Sequence, residues 1–168
     1  MKKTVFLMLC ALMCFSFLAT SCDKKDEKPV ATEQEGCVTI TEGIYGTVVE
    51  RYGDWMPVIG EDYPRGGERP LKRRVYVYEY TKTSDFDYGP YFSEYPIDKM
   101  PKSLVAIGQS RSNGFYEISL NPGTYSVFIE DNGKLCANGG DGYGGINPVV
   151  ISADSIVLMN LVLNHAVY

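Results

Sequence analysis

From Cys37 to Tyr168, no stretch of ten or more residues free of glycine and proline carries the helical spacing of apolar side chains. Short runs rich in Val, Ile, Tyr and Thr stand there instead, separated by clusters of Gly, Pro, Asn and Asp. A chain punctuated in this way buries apolar surface by stacking short strands. The pattern therefore predicts an all-β sandwich over residues 37–168, with seven strands at about 37–50, 72–81, 103–110, 114–120, 124–130, 146–152 and 155–164.

Side-chain parity then sorts the strands into faces. Tyr116, Ile118 and Leu120 share one side of their strand, as do Tyr125, Val127 and Ile129, and these are expected to face the core. Val157, Met159, Leu161 and Leu163 form a third such row. The opposite side of that last run carries Ile156, Leu158 and Val162 beside Asn160 and Asn164, which predicts a central strand covered on both faces. In Arg74–Tyr80 either face is fit for burial. Asn113-Gly114 predicts a type I′ hairpin turn. Asn121-Pro122-Gly123-Thr124 predicts a turn with proline at its first central position and a positive-φ glycine at its second. Strands 103–110, 114–120 and 124–130 are thus expected to form a meander.

Two long insertions, 51–71 and 82–102, hold six of the nine prolines. Loops of that length without regular structure are uncommon in compact domains and usually have a task. The first contains Tyr52, Trp55 and Tyr63. The second packs Phe86, Tyr88, Tyr91, Phe92 and Tyr95 among Asp85, Asp87, Glu94 and Asp98. Two readings stand side by side. Trp55, Tyr88, Tyr91, Phe92 and Tyr95 are either exposed rings that contact a ligand, or rings that fold back and plug the sandwich.

The first residues have the layout of an export signal: Lys2 and Lys3, then apolar or small residues from Val5 to Ala19. Ala19-Thr20-Ser21-Cys22 resembles the lipobox of bacterial lipoproteins, with the customary leucine one place early at Leu18. The resemblance implies a signal peptide over 1–21, lipid modification of Cys22, and a membrane contact made through that anchor. Residues 22–36 then read as anchor and disordered tether, being charged and free of aromatic residues. Asp23-Lys24-Lys25-Asp26-Glu27 is similar to the acidic signals that send some lipoproteins to the outer face of the outer membrane. In other lineages an aspartate after the cysteine holds the protein at the inner membrane.

Without Lys2 and Lys3, the 16 basic residues fall to 14 against 21 acidic ones, a balance of −7. An acidic chain lacking a basic cluster has no footprint for nucleic acid. Cys10 and Cys14 lie in the signal and Cys22 takes the lipid, so Cys37 and Cys136 remain. They are either a disulfide of an oxidising compartment or two independent small hydrophobes.

Little in the sequence carries chemistry. His165 is the only histidine, which excludes zinc sites built on two or three imidazoles and argues against a Ser-His-Asp or Cys-His nucleophile. Its place two residues beyond the last apolar run predicts a solvated terminus. Gly140-x-Gly142-x-x-Gly145 is followed by Ile146-Asn147-Pro148-Val149, a strand rather than the helix a dinucleotide phosphate needs. Asp131 to Gly145 is rich in Asp, Asn and Gly, but only Asp131 and Asp141 bring the charge a calcium site requires; a turn-rich loop is expected. No catalytic residue, metal or cofactor is assigned.

Four segments in order, Gly46-Thr47-Val48-Val49, Val75-Tyr76-Val77-Tyr78, Gly114-Phe115-Tyr116-Glu117-Ile118 and Pro122-Gly123-Thr124-Tyr125-Ser126-Val127, resemble the carboxypeptidase regulatory-like domains. The resemblance implies a seven-stranded, transthyretin-like or Ig-like β-sandwich. It also implies an accessory module without catalytic residues; on an envelope protein, exposed rings of the two insertions would meet a glycan or protein partner. The family's short turn after the opening strand is replaced here by the longer Gly53–Pro70 segment.

Overall fold

A computed structural model describes residues 37–56, 65–87, 94–137 and 139–168. The expected signal peptide and tether, Cys22, and Tyr63, Tyr88, Tyr91 and Phe92 lie outside the described residues. The domain is all-β and built from two sheets. Among the described residues, eleven strand segments stand where seven were expected.

The first sheet is organised by one long strand, β1 (Gly43–Tyr52). Ten residues give it room for two successive partners along each side. On one side run β6 (Phe115–Ser119) and then β2 (Gly67–Pro70), both antiparallel. On the other run β10 (Ile156–Leu158) and then β11 (Leu161–Asn164), both parallel. Among the described residues the last apolar run is therefore an edge, not a central strand. Ile156 and Leu158 are 41% and 58% exposed. An apolar row on both faces is compatible with burial but does not enforce it.

The run breaks at Met159-Asn160, where the Asn160 side chain replaces strand pairing: its Oδ1 accepts from Thr47 N and Thr47 Oγ1, both at 3.1 Å. Gly46 of β1 lies directly under the break. A Cβ at Gly46 would overlap the Met159 carbonyl oxygen, so only glycine lets the two backbones approach this closely.

The second sheet runs β4 (Glu94–Pro96), β8 (Lys134–Cys136), β7 (Gly123–Asp131), β3 (Arg74–Glu79) and β5 (Leu104–Gln109), with β9 (Pro148–Ile151) also on β7. The expected meander does not form. β5 and β7 pair with β3, whereas β6 between them in sequence pairs with β1 in the other sheet.

The turn at Asn113-Gly114 is present but is not type I′. Gly114 takes φ +82 and Asn113 keeps a negative φ, while Gly114 N donates to Arg111 O at 3.0 Å. This is the three-residue turn that ends on a left-handed glycine. Gly123 has no positive φ and opens β7 itself, opposite Ile151, so Asn121–Thr124 is not a hairpin turn either. Turn chemistry marks where a chain bends. It does not say which sheet the next strand joins.

The core between the sheets holds Ile44, Val48, Val75, Val77, Tyr116, Ile118, Leu120, Val127, Ile129, Leu161 and Leu163. Parity placed Tyr116, Ile118, Leu120, Val127, Ile129, Leu161 and Leu163 there, while Tyr125, Val157 and Met159 of the same rows are only partly buried against it. A second core covers the outer face of β3 and β7. There Tyr76, Tyr78 and Phe128 are buried by Leu135, Ile146 and Tyr95, with Phe86, Ile97 and Met100 packed against them. Both faces of β3 are thus buried, and the second insertion supplies much of the cover.

Candidate binding surface

Tyr95 is a core residue, not a ligand contact. Its ring meets Phe128 edge-on at 5.6 Å and Phe86 at 5.1 Å, and the residue is 7% exposed. The described part of the second insertion folds back as a plug, because a tyrosine ring buried among aromatic edges removes more apolar area from water than an exposed one.

The first insertion differs. Trp55 and Tyr52 are 41% and 40% exposed at the end of β1, beside Met56, Val167 and Tyr168. The C-terminal segment builds this rim. His165 N donates to Arg51 O at 2.8 Å and Val167 N to Gly53 O at 2.9 Å, and Trp55 N donates back to Val167 O at 2.9 Å. The indole Nε1 donates to Tyr52 O at 3.1 Å. Arg51 lies over the Trp55 ring at 4.9 Å and Arg69 over Tyr52 at 5.1 Å. Gly66 and Gly67 sit against the two rings, where a Cβ on Gly66 would overlap the indole.

Four charges of the rim cancel in two pairs. Arg51 holds Glu68 through two nitrogens, at 2.9 and 2.6 Å, and Arg69 holds Glu50 at 2.6 Å. What is left to the solvent is aromatic area flanked by these paired groups, the Asp54 carboxylate, which accepts from Met56 N at 2.8 Å, and the Tyr168 hydroxyl. Such a surface suits a ligand with apolar C–H faces and neutral hydroxyls.

Beside the rim, the open end of the core is closed by a chain of ionic groups that the place of His165 after the last apolar run did not reveal. Glu50 takes the last inward position of β1 and is 9% exposed; Asp131 ends β7. His165 lies between them, Nδ1 at 2.9 Å from Glu50 Oε1 and Nε2 at 3.1 Å from Asp131 Oδ2. Arg69 and Arg73 flank the carboxylates from outside, Arg73 at 3.3 Å from Asp131. The histidine is therefore held on both sides and is not a solvated terminus. Its hydrogen bond to Glu50 raises the imidazole pKa above the usual value, against partial burial and with help from Asp131. The bonds from His165 and then Arg69 hold the Glu50 carboxyl below the usual range. One signal in the sequence pointed here: Glu50 continues the inward row Ile44, Gly46, Val48, where a charge needs a partner.

The remaining candidates fall apart in space. Cys37 and Cys136 are both free, Cys37 exposed and Cys136 half-buried on β8, where burial pushes its thiol up to about 11. Asp141 accepts from Tyr80 OH at 2.6 Å, Tyr143 N at 2.8 Å and Gly145 N at 2.9 Å, so it organises its own loop. Among the described residues, no group of three or more His, Cys, Asp or Glu is arranged to hold a metal ion. Also among them, no helix is long and apolar enough to cross a membrane. Comparison with models of protein families, with curated proteins and with solved structures finds no match.

Proposed function

We propose that this chain is a non-catalytic lipoprotein of the cell envelope, anchored through Cys22 in the outer membrane, whose β-sandwich is an accessory or binding module. Its carboxypeptidase regulatory-like character is part of the same reading and rests on the four segments quoted above. The partner is a glycan or an envelope protein, and neutral sugar rings are the class that fits the rim best. The observation that carries this is the exposure of Trp55 and Tyr52 on a rim whose arginines and glutamates are already paired. Aromatic faces of this kind offer large contact area at low entropic cost. An array of neutral and acidic glycans tests it. Binding lost in Trp55→Ala with stability retained supports the rim; binding unchanged by Trp55→Ala refutes it. Fatty-acid labelling that persists in Cys22→Ser refutes the anchor.

A second reading, an assembly subunit that pairs through a free strand edge, is favoured by β5. Among the described residues it pairs only with β3; it carries neither charge nor proline and leaves Ile107 52% exposed. An open apolar edge of that kind accepts a further strand, though the bulge at Val105 works against it. Assembly abolished by Ile107→Lys and untouched by Trp55→Ala would select this reading.

A further inference from the structure

His165 and Trp55 are the only histidine and the only tryptophan of the chain, and one four-residue segment connects them. His165 is its first residue. Tyr168, its last, has its hydroxyl 3.5 Å from Arg51 Nη1 and 3.4 Å from Asn164 Oδ1. Between them, Val167 exchanges backbone hydrogen bonds with Gly53 and Trp55. Whatever holds His165 therefore holds the template on which Trp55 is placed.

Both nitrogens of the His165 ring face carboxylate oxygens, one from each sheet. An ionised carboxylate only accepts hydrogen bonds, so satisfying both requires a hydrogen on each nitrogen, which is the imidazolium. The neutral ring satisfies one carboxylate and turns a lone pair toward the other. The charged groups around it are fixed by partners of their own: Glu50 by Arg69, Asp131 by Arg73, and Glu94 across the adjoining cavity by Lys134 at 2.7 Å. That cavity, of about 150 Å³, is also lined by Cys136, whose thiol is raised away from neutral pH. Imidazole is the side chain whose ordinary titration falls between about pH 5 and 8.

We propose that His165 is a proton-operated tie: protonated, it clamps the C-terminal segment across both sheets and holds Trp55 in the rim; deprotonated, it releases one sheet and loosens the rim. The consequence for ligand binding rests on the reading of the rim given above; the tie itself does not. As pH rises through the titration of His165, the Trp55 site loses order and binding weakens.

The test uses the full chain in detergent, without ligand. Imidazole NMR gives the His165 titration and the single-tryptophan emission gives the state of Trp55. The emission is expected to change with the same midpoint as the ring, above about 6.5. Protection of the Val167 and Trp55 amides, corrected for intrinsic exchange, is expected to fall about tenfold across it. In His165→Gln the emission change disappears. Asp131→Asn, whose amide oxygen still accepts, keeps the fold and moves the midpoint down, which decides the matter should His165→Gln not fold. A ring that titrates while emission and amide protection stay flat overturns the tie, as does an emission change that survives in His165→Gln. Because no ligand is present, failure of glycan binding with an intact Trp55 response overturns the binding surface alone.

Discussion

The hydroxyl of Tyr116 on β6 donates to the backbone carbonyl of Met159 at 2.6 Å, reaching past Gly46 of β1 to the break between β10 and β11. Tyr116 is 1% exposed, and burial raises its phenol above the usual range. Three strands are tied by this one bond. Tyr116→Phe leaves the Met159 carbonyl short of a partner and is expected to cost about 1–2 kcal/mol. Urea unfolding should show a lower midpoint at unchanged slope; an unchanged midpoint would mean that the bond contributes nothing.

Gly46→Ala places a methyl group against the same carbonyl, with backbone rather than a pliable side chain in the way. A loss of about 1–3 kcal/mol is expected, as for other insertions into close-packed sites. Thermal unfolding reads it, and the loss should exceed that of alanine at the exposed Gly133, whose Cβ would meet nothing within 4 Å even though its φ is +78.

The Glu50–His165 pair gives stability a bell shape against pH. The folded pKa of Glu50 is lowered, so its contribution is present above the unfolded value of about 4.3 and is lost as pH falls through the folded value. The folded pKa of His165 is raised, so its contribution is complete below about 6.5 and is lost as pH rises through the folded value. Both are present together between about 4.3 and 6.5. With the imidazole 41% exposed, solvent screening keeps its share below about 1 kcal/mol. Denaturation midpoints from pH 3 to 9 check this. His165→Gln should remove the decline on the alkaline side and weaken the acid side, where Arg69 is then left to hold the Glu50 carboxyl down.

Two aromatic truncations should part company. Tyr95→Ala opens a cavity beside Phe128 and Phe86 and is expected to cost about 3 kcal/mol or more. Trp55→Ala forfeits the contact with Arg51 and is expected to cost about 1 kcal/mol or less. Equal losses in calorimetry would mean that Trp55 is structural, not a free surface.

The two free thiols should also differ. Cys37 is exposed, whereas the Cys136 thiol at about 11 is almost wholly protonated near neutrality. Iodoacetamide at pH 7.5 is expected to label Cys37 at least about a hundredfold faster, since the thiolate is the nucleophile. Mass spectrometry of timed digests reads the ratio. If neither residue labels, they are bridged.

Parity carried the inner core a long way. Tyr116-Ile118-Leu120, Val127-Ile129 and Leu161-Leu163 all face inward, because alternation is a property of each strand taken alone. The same rule failed at Ile156 and Leu158, whose exposure depends on what lies beyond the sheet. Asn113-Gly114 marked a turn but not its type or its sheet. Trp55 was legible as a candidate by its chemistry; Tyr95, with the same chemistry, was not separable from it until Phe128 was seen beneath its ring.

By itself the amino-acid sequence determined an all-β domain, its inward rows and its bends, since these follow from side-chain period and backbone preference within a few residues. Tertiary structure alone decided that β5, β6 and β7 alternate between sheets, that the last run is an edge, and that His165 joins Glu50 to Asp131. Those partners lie 115 and 34 residues away along the chain. A contact across such a separation depends on how whole strands are ordered, which no local preference encodes.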